Sequence, residues 1–173
     1  IADLIISDNQ GIEDYLKAEY GDVTSTVIAY GTNPVARDRA IDMTWFEAQG
    51  VKLKDYYLVV GRFVPENNYE AIIREFMASD TTRDLVIVTN HQGNPFFDKL
   101  REITGFEQDK RVKFVGTVYD KEMLAAIRQQ AFAYIHGHAV GGTNPGLLEA
   151  MGATDLNLVY DVSFNRKIGR AHV

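Results

Sequence analysis

The sequence predicts an α/β protein built on mostly parallel β-sheets. Short runs rich in β-branched and aromatic residues alternate with segments of helical period, which is the order that βαβ units produce. The run YYLVVG at 56–61 is apolar almost throughout, which indicates a central strand buried on both faces. The pairs Asn94-Pro95 and Asn144-Pro145 each combine a capping side chain with a first-turn proline, a usual start of a helix.

Two regions of strands and helices are predicted, with a linker between them. Residues 56–161 contain five strand-like runs with four helices between them: YYLVVG, DLVIVTN, RVKFVG, AFAYIHG and LNLVYD. Residues 1–31 are predicted to be a strand, a helix and a strand, the tail of a different sheet. Residues 32–54 carry charge, a Trp-Phe pair and no clear strand, as in a linker that packs on its neighbours. The chain starts inside a strand-like run and ends abruptly, so we expect a C-terminally truncated piece of a longer polypeptide.

Composition excludes several classes of function. The net charge of −6 argues against a broad surface for nucleic acid or anionic lipid. The chain has 0 cysteines, which excludes a disulfide scaffold, a cysteine-ligated metal site and a thiol nucleophile. No apolar run approaches the ~18 residues that span a bilayer. We therefore expect a cytoplasmic protein that does not bind nucleic acid.

Two unusual loops are predicted to meet at one edge of the larger sheet. Five βα units most commonly adopt the strand order 3-2-1-4-5, and ligands bind where the order reverses, beyond the carboxyl ends of the first and fourth strands. The loops leaving those strands are GRFVPENN and HGHAVGGTNP. Gly141 and Gly142 allow a close turn, the free amides of the Pro145 helix can receive an anion, and Arg62 can add a charged contact. The alternative is a plain glycine turn beside a solvated arginine.

Glu149 has two interpretations that the sequence leaves open. On a helical wheel it lies nearly opposite Leu147, Leu148 and Met151, which we expect to form the buried face. This placement fits an exposed, solvated carboxylate. A carboxylate near a phosphate site also commonly accepts hydrogen bonds from the two hydroxyls of a ribose.

His136 and His138 are two residues apart at a strand end, so both lie on the same side. A metal pair is conceivable, but no third ligand follows at a suitable spacing, and a hydrogen-bonding or structural role is favoured. The sequence lacks the G-x-G-x-x-G dinucleotide fingerprint, the lysine of a P-loop and the G-x-S-x-G nucleophile elbow.

The segments VVGRFVPENNYEAIIREF, RVKFVGTVYDKEMLAAI and HGHAVGGTNPGLLEAMG resemble the nucleotide-sugar-binding half of retaining GT-B glycosyltransferases of family 4. They are most similar to bacterial rhamnosyltransferase-like members that build surface polysaccharides. The segments ADLIISDNQGIEDYLKAEYG and STVIAYGT resemble the last βαβ unit of the family's N-terminal, acceptor-binding domain. The resemblance implies a Rossmann-like, donor-binding domain of the GT-B type at 55–173. A linker at 32–54 would join it to a βαβ remnant of a second Rossmann-like domain at 1–31.

The resemblance also implies site residues. The family's E-x(7)-E motif maps its second glutamate, which holds the ribose, onto Glu149, and its first, which addresses the sugar, onto Gly141. Gly142, Thr143, Asn144 or His138 would then take over sugar recognition. In the family's arginine and lysine loop Arg62 matches, whereas Asn67 stands at the lysine position. The implied donor-binding residues are Arg62, Asn67, His138, Gly141, Gly142, Thr143, Asn144, Leu148 and Glu149. The implied base-binding region is Thr117, Val118 and Tyr119.

The activity implied is retaining transfer of a sugar, rhamnose by the closest likeness, from a nucleoside diphosphate to a glycan or lipid-linked acceptor. Arg62 and the helix N-terminus would stabilise the diphosphate without a metal, and no cofactor is expected. The acceptor would bind through the missing N-terminal domain, with the full-length enzyme at the inner face of the membrane. We expect this chain alone to bind the donor weakly and not to turn over. The alternatives are a non-catalytic nucleotide-sugar-binding module and, with less support, a flavodoxin-like signalling domain.

Overall fold

The structure, a computed structural model, describes residues 3–33, 40–166 and 168. The first strands and helices of the chain are β1 (Ile5–Ser7), α1 (Gln10–Tyr20), β2 (Ser25–Val27) and α2 (Thr44–Gln49). The two strands pair in parallel, so the βαβ arrangement expected at the N-terminus is confirmed. We call residues 3–33 the N-terminal unit.

A five-stranded sheet forms the rest of the chain. Its elements are β3 (Tyr56–Val60), α3 (Tyr69–Ala78), β4 (Asp84–Val88), α4 (Pro95–Thr104), β5 (Val112–Gly116), α5 (Lys121–Gln129), β6 (Ala133–His136), α6 (Pro145–Ala153), β7 (Asn157–Val159) and α7 (Ser163–Arg166). All four strand pairs are parallel, in the order β5-β4-β3-β6-β7. The predicted order 3-2-1-4-5 is therefore confirmed. Within the described ranges, no helix is long and apolar enough to cross a bilayer.

The core lies on both faces of this sheet. Leu58 of β3 packs on the face that α5 and α6 cover, and the next residue, Val59, packs on the face that α3 and α4 cover. Both side chains are at most 3% exposed, as expected for a central strand of a parallel sheet.

The buried face of α6 differs from the prediction. Leu147 and Ala150 are buried, Leu148 is half-buried, and Met151 is 42% exposed. The helix is apolar on most of its surface, so its hydrophobic pattern does not define one face. The small Ala150 lies in the core cluster instead of Met151.

The predicted linker contributes to the core through a helix that the sequence did not reveal. Phe46 of α2 is fully buried in the cluster that contains Tyr56 and Leu58. Trp45 packs edge-on against Phe46, with ring centroids 5.2 Å apart. Residues 34–39 of the linker lie outside the described residues.

We expect Phe46→Ala to destabilise the protein by about 3–5 kcal/mol, because it removes a fully buried ring and leaves a cavity under the sheet. Urea unfolding followed by circular dichroism measures the loss. Met43→Ala, at a position 38% exposed, is the control, with an expected change within about 0.5 kcal/mol. An equal loss in both variants would show that α2 does not depend on its buried ring.

Candidate functional site

A cavity of about 700 Å³ opens beyond the carboxyl ends of β3 and β6. This is the predicted switch point, where the strand order reverses. The walls include the predicted site residues Arg62, Asn67, His138, Gly141, Gly142, Thr143 and Asn144. We call residues 138–144 the glycine loop.

The two loops that wall the cavity are fixed to each other. The Asn68 side chain donates to the Gly137 carbonyl oxygen at 2.7 Å, and the Ala139 amide donates to the Glu66 carbonyl oxygen at 3.0 Å. A Cβ atom on Gly137 would lie 2.3 Å from the Asn67 carbonyl oxygen, so only glycine fits there. The position of Arg62 relative to the glycine loop is therefore set by backbone contacts.

Asn67 has a structural role in this arrangement. It is 6% exposed, and its side-chain amide donates to the Arg62 carbonyl oxygen at 2.7 Å. An amide committed to its own loop does not replace the positive charge of the family's lysine. The fixed positive charge on this wall is therefore that of Arg62.

Arg62 is available for a ligand. Its side chain is exposed at the cavity wall, and it has no ion pair or side-chain hydrogen bond within the described part of the chain. An unpaired guanidinium offers a fork of donors that matches the oxygens of a phosphate.

The start of α6 corrects one prediction. The amides expected to receive an anion are already capped, because the Asn144 side-chain oxygen accepts from the Gly146 amide at 2.9 Å and the Leu147 amide at 3.3 Å. The unpaired amides come earlier: those of Gly141, Gly142 and Thr143 donate to no group in residues 3–33, 40–166 and 168. The glycine loop, and not the helix, presents free donors.

His136 and His138 stack face to face, with ring centroids 4.1 Å apart and an interplanar angle of 7°. The expected placement on one side is confirmed. The nitrogen lone pairs of parallel rings lie in separate planes, so the stack is not arranged to grip one metal ion. No cluster of three potential metal ligands occurs among the described residues.

Both histidines are held neutral. Burial lowers the pKa of His136 to about 3, with a smaller contribution from neighbouring His138. Burial and the charge of Arg62 lower the pKa of His138. Neither ring nitrogen of His136 has a hydrogen-bond partner in the described part of the chain. His138 lines the cavity, so it presents a neutral imidazole to any ligand there.

Glu149 lies outside this cavity. Its carboxylate, about half exposed, pairs with the buried Arg128 at 2.8 Å, so it is not the solvated group of the simplest interpretation. It borders a separate groove of about 380 Å³ with Lys121 and Leu124 of α5. Leu148 is half-buried and contributes to neither wall.

The predicted base-binding residues lie away from the cavity. Thr117, Val118 and Tyr119 follow β5, which is two strands from β3 at the edge of the sheet. Tyr119 is 87% exposed, and Val118 packs against the core cluster. The structure does not bring these three residues to the cavity wall.

The sequence does not indicate that part of the N-terminal unit touches the glycine loop. The Thr143 hydroxyl donates to the Asp8 carbonyl oxygen at 2.8 Å and accepts from the Asn9 side chain at 3.3 Å. The Tyr30 hydroxyl donates to the Thr143 carbonyl oxygen. These partners are 113 to 135 residues apart, and no local pattern indicates them.

The C-terminal helix α7 also contributes to the cavity, which the sequence did not indicate. Phe164 and Asn165 line its wall. The Asn165 side chain donates to the His138 carbonyl oxygen at 3.0 Å and to the Tyr160 carbonyl oxygen at 2.9 Å. This helix therefore supports the start of the glycine loop.

Solved structures of several proteins share this architecture. Anabaena HepE in complex with UDP and glucose superposes with a TM-score of 0.78, 17% identity, and coverage of 100% of this chain and 48% of HepE. Sucrose-phosphate synthase from Thermosynechococcus elongatus superposes with a TM-score of 0.67 and 22% identity, covering 87% of this chain and 39% of the synthase. The UDP-forming trehalose-phosphate synthase from Burkholderia xenovorans in complex with glucose-6-phosphate superposes with a TM-score of 0.61 and 13% identity. The match covers 88% of this chain and 44% of that synthase.

The chain has the GT-B fold. Its Rossmann-like character, expected from the sequence resemblance, is confirmed by these superpositions. The chain spans about half of the length of HepE, 48%. A family described as a domain of unknown function (DUF1972) matches residues 1–33. No curated protein sequence matches the chain.

We expect the buried His136 to make the protein less stable in mild acid. The unfolded chain binds a proton near pH 6.5, whereas the folded state resists it down to a pKa of about 3. The stability present above pH 6.5 is therefore lost as the pH falls toward 3, by at most about 1.4 kcal/mol per pH unit.

His136→Phe should flatten this dependence between pH 6.5 and 5, measured by urea unfolding at several pH values. Tyr15→Phe, an aromatic substitution at an exposed position that leaves every imidazole in place, is the control and should keep the wild-type slope. If His136→Phe kept that slope as well, the burial of His136 would not be its cause.

Proposed function

We propose that this chain forms the nucleotide-sugar-binding part of a glycosyltransferase. The observation that carries the proposal is that Arg62 shares a cavity wall with the amides of Gly141, Gly142 and Thr143, and that none of these groups has a partner among the described residues. The cavity lies at the switch point of the sheet, where ligands of such folds bind. The UDP bound to HepE, which shares the fold, supports a nucleoside diphosphate as the ligand.

The proposed chemistry is electrostatic. When the sugar leaves, negative charge develops on the diphosphate, and fixed donors aimed at that charge lower the barrier. The guanidinium of Arg62 supplies a charge, and the glycine-loop amides supply fixed dipoles. Gly141 has a φ of +133°, so the backbone can present its amide in a conformation closed to other residues. The proposal assigns this stabilisation to the protein's own groups and not to a metal ion.

We assign the sugar contact to His138. Of the groups that could replace the family's missing carboxylate, the Asn144 side chain caps α6 and the Thr143 hydroxyl binds the N-terminal unit. His138 lines the cavity and is neutral near pH 7 because its pKa is lowered. Its Nδ1 is buried, which leaves Nε2 for a ligand, and a neutral imidazole nitrogen can donate to or accept from a sugar hydroxyl according to its tautomer.

Glu149 is the proposed ribose ligand. One of its oxygens pairs with Arg128, and a carboxylate has enough lone pairs for a further hydroxyl. The groove that it borders also contains Thr32 and Asn33, which follow the N-terminal βαβ. The proposed base-binding role of residues 117–119, which lie outside the cavity, rests on the sequence resemblance.

The finer identity of the reaction rests on the sequence resemblance. We propose retention at the anomeric carbon, rhamnose as the sugar, and a glycan or lipid-linked acceptor of bacterial surface polysaccharide synthesis at the inner face of the membrane. The acceptor is proposed to bind mainly through the N-terminal domain, of which residues 1–31 are the last part. This chain alone should therefore bind the donor without turnover, and steady glycosyl transfer by it would contradict that arrangement.

Calorimetric titration with UDP, TDP and GDP tests the donor site, and at least one should bind at millimolar concentration or below. Arg62→Gln should weaken that binding about 10- to 100-fold, because a charge-assisted hydrogen bond contributes about 1.5–3 kcal/mol. Lys110→Gln, the control, removes the same charge from an exposed position before β5 and should bind like wild type. Failure of all three nucleotides, or equal loss in both variants, would overturn the donor site.

Gly141 also favours a second candidate, a nucleotide-sugar-binding module without catalysis, because the family's sugar-facing carboxylate is absent there. A transfer assay on the full-length protein separates the two. Transfer that is lost in Glu149→Ala supports the enzyme, whereas donor binding without transfer in the unmodified protein supports the module.

A further inference from the structure

Thr143 is the point where the N-terminal unit holds the glycine loop. Its hydroxyl is used twice, donating to the Asp8 carbonyl oxygen at 2.8 Å and accepting from the Asn9 side chain at 3.3 Å. Its carbonyl oxygen accepts from the Tyr30 hydroxyl. One residue of the loop is thus bound through both its side chain and its backbone.

The neighbouring residue, Gly142, also lies close to the N-terminal unit. A Cβ atom on Gly142 would lie 2.6 Å from Cδ1 of Ile12 and 2.7 Å from Oδ1 of Asp8. The N-terminal unit therefore lies directly against the backbone of Gly142. A side chain at this position would require the ends of the Ile12 and Asp8 side chains to move.

On the N-terminal side of the contact, hydrogen bonds and burial hold the Asn9 side chain in place. Asn9 caps α1, since its side-chain oxygen accepts from the Gly11 amide at 2.8 Å. The same side chain donates to the Phe164 carbonyl oxygen at 3.2 Å, next to the cavity. Asn9 is 4% exposed, so its donor group is held in place by surrounding atoms.

We infer that Asn9, Tyr30 and Thr143 form a latch through which the N-terminal unit positions the donor-binding amides of the glycine loop. This inference rests on the proposed function. Asn9, Tyr30 and the hydroxyl of Thr143 are positioning groups, whereas the Thr143 amide is one of the donors that they position. Two consecutive glycines would otherwise leave the loop free to move, and ordering it on binding would weaken affinity. The latch supplies that order before the nucleotide arrives.

Substitutions in the latch can remove its hydrogen bonds separately. Thr143→Val removes the hydroxyl and keeps the shape, whereas Thr143→Ser keeps the hydroxyl. Tyr30→Phe removes only the bond to the Thr143 carbonyl oxygen. Tyr15→Phe, on the exposed face of α1, removes a tyrosine hydroxyl elsewhere and is the matched control.

The experiment combines calorimetric titration of the chain with the tightest-binding nucleoside diphosphate and amide hydrogen exchange of the free protein. Thr143→Val and Tyr30→Phe should each weaken binding about 2- to 10-fold with a less favourable entropy. Exchange should become faster at the paired amides on either side of the unpaired ones, Ala139, Gly146 and Leu147, and stay unchanged in β3 and β4. Thr143→Ser and Tyr15→Phe should behave like wild type.

The possible results distinguish failure of the latch from failure of the donor site. If wild type binds a nucleotide and Thr143→Val binds it equally well, the latch is wrong and the donor site stands. If Thr143→Ser fails as badly as Thr143→Val, packing and not hydrogen bonding holds the loop, and the latch is also wrong. If wild type binds no nucleoside diphosphate, the proposed function fails and the latch fails with it.

Discussion

The close approach of Gly137 to the Asn67 carbonyl oxygen determines the form of the whole site. A Cβ atom would be 2.3 Å from that oxygen, so this junction between the two loops requires glycine. Because the backbones touch, the Asn68 side chain reaches the Gly137 carbonyl oxygen and the Ala139 amide reaches Glu66. Arg62 and the glycine loop follow on either side, so one contact brings both to a single cavity.

The electrostatics of the cavity follow from what is buried beneath it. His136 is buried and stacks on His138, so a proton on His136 would place a charge in a site buried away from solvent. A proton on His138 would add a positive charge near that of Arg62. Both rings therefore remain neutral near pH 7. The positively charged group among the cavity residues is therefore Arg62, opposite in sign to the Glu66 carboxylate on the same wall. The two histidines add no charge to the cavity near pH 7.

The sequence predicted what periodicity and chain direction determine. The strand order follows from right-handed crossovers, and the order alone placed the loops after β3 and β6 together. The prediction of an anion at the start of α6 failed because the same amides were expected to serve two partners. The Asn144 side chain, which caps α6, already accepts from the amide that was assigned to an anion. Prediction failed again at Thr143, because contacts with the N-terminal unit depend on tertiary docking that leaves no local pattern.

The glycine at position 141 is more than the loss of a carboxylate. Its φ of +133° is a conformation that side chains disfavour, so a glutamate could not be restored there without rebuilding the loop. The loop instead presents the amides of Gly141, Gly142 and Thr143, which have no partner among the residues that the structure describes. On the proposed function, the side chain that addresses the sugar comes from elsewhere on the wall, and we assign it to His138, whose ring stacks on His136 and is neutral near pH 7.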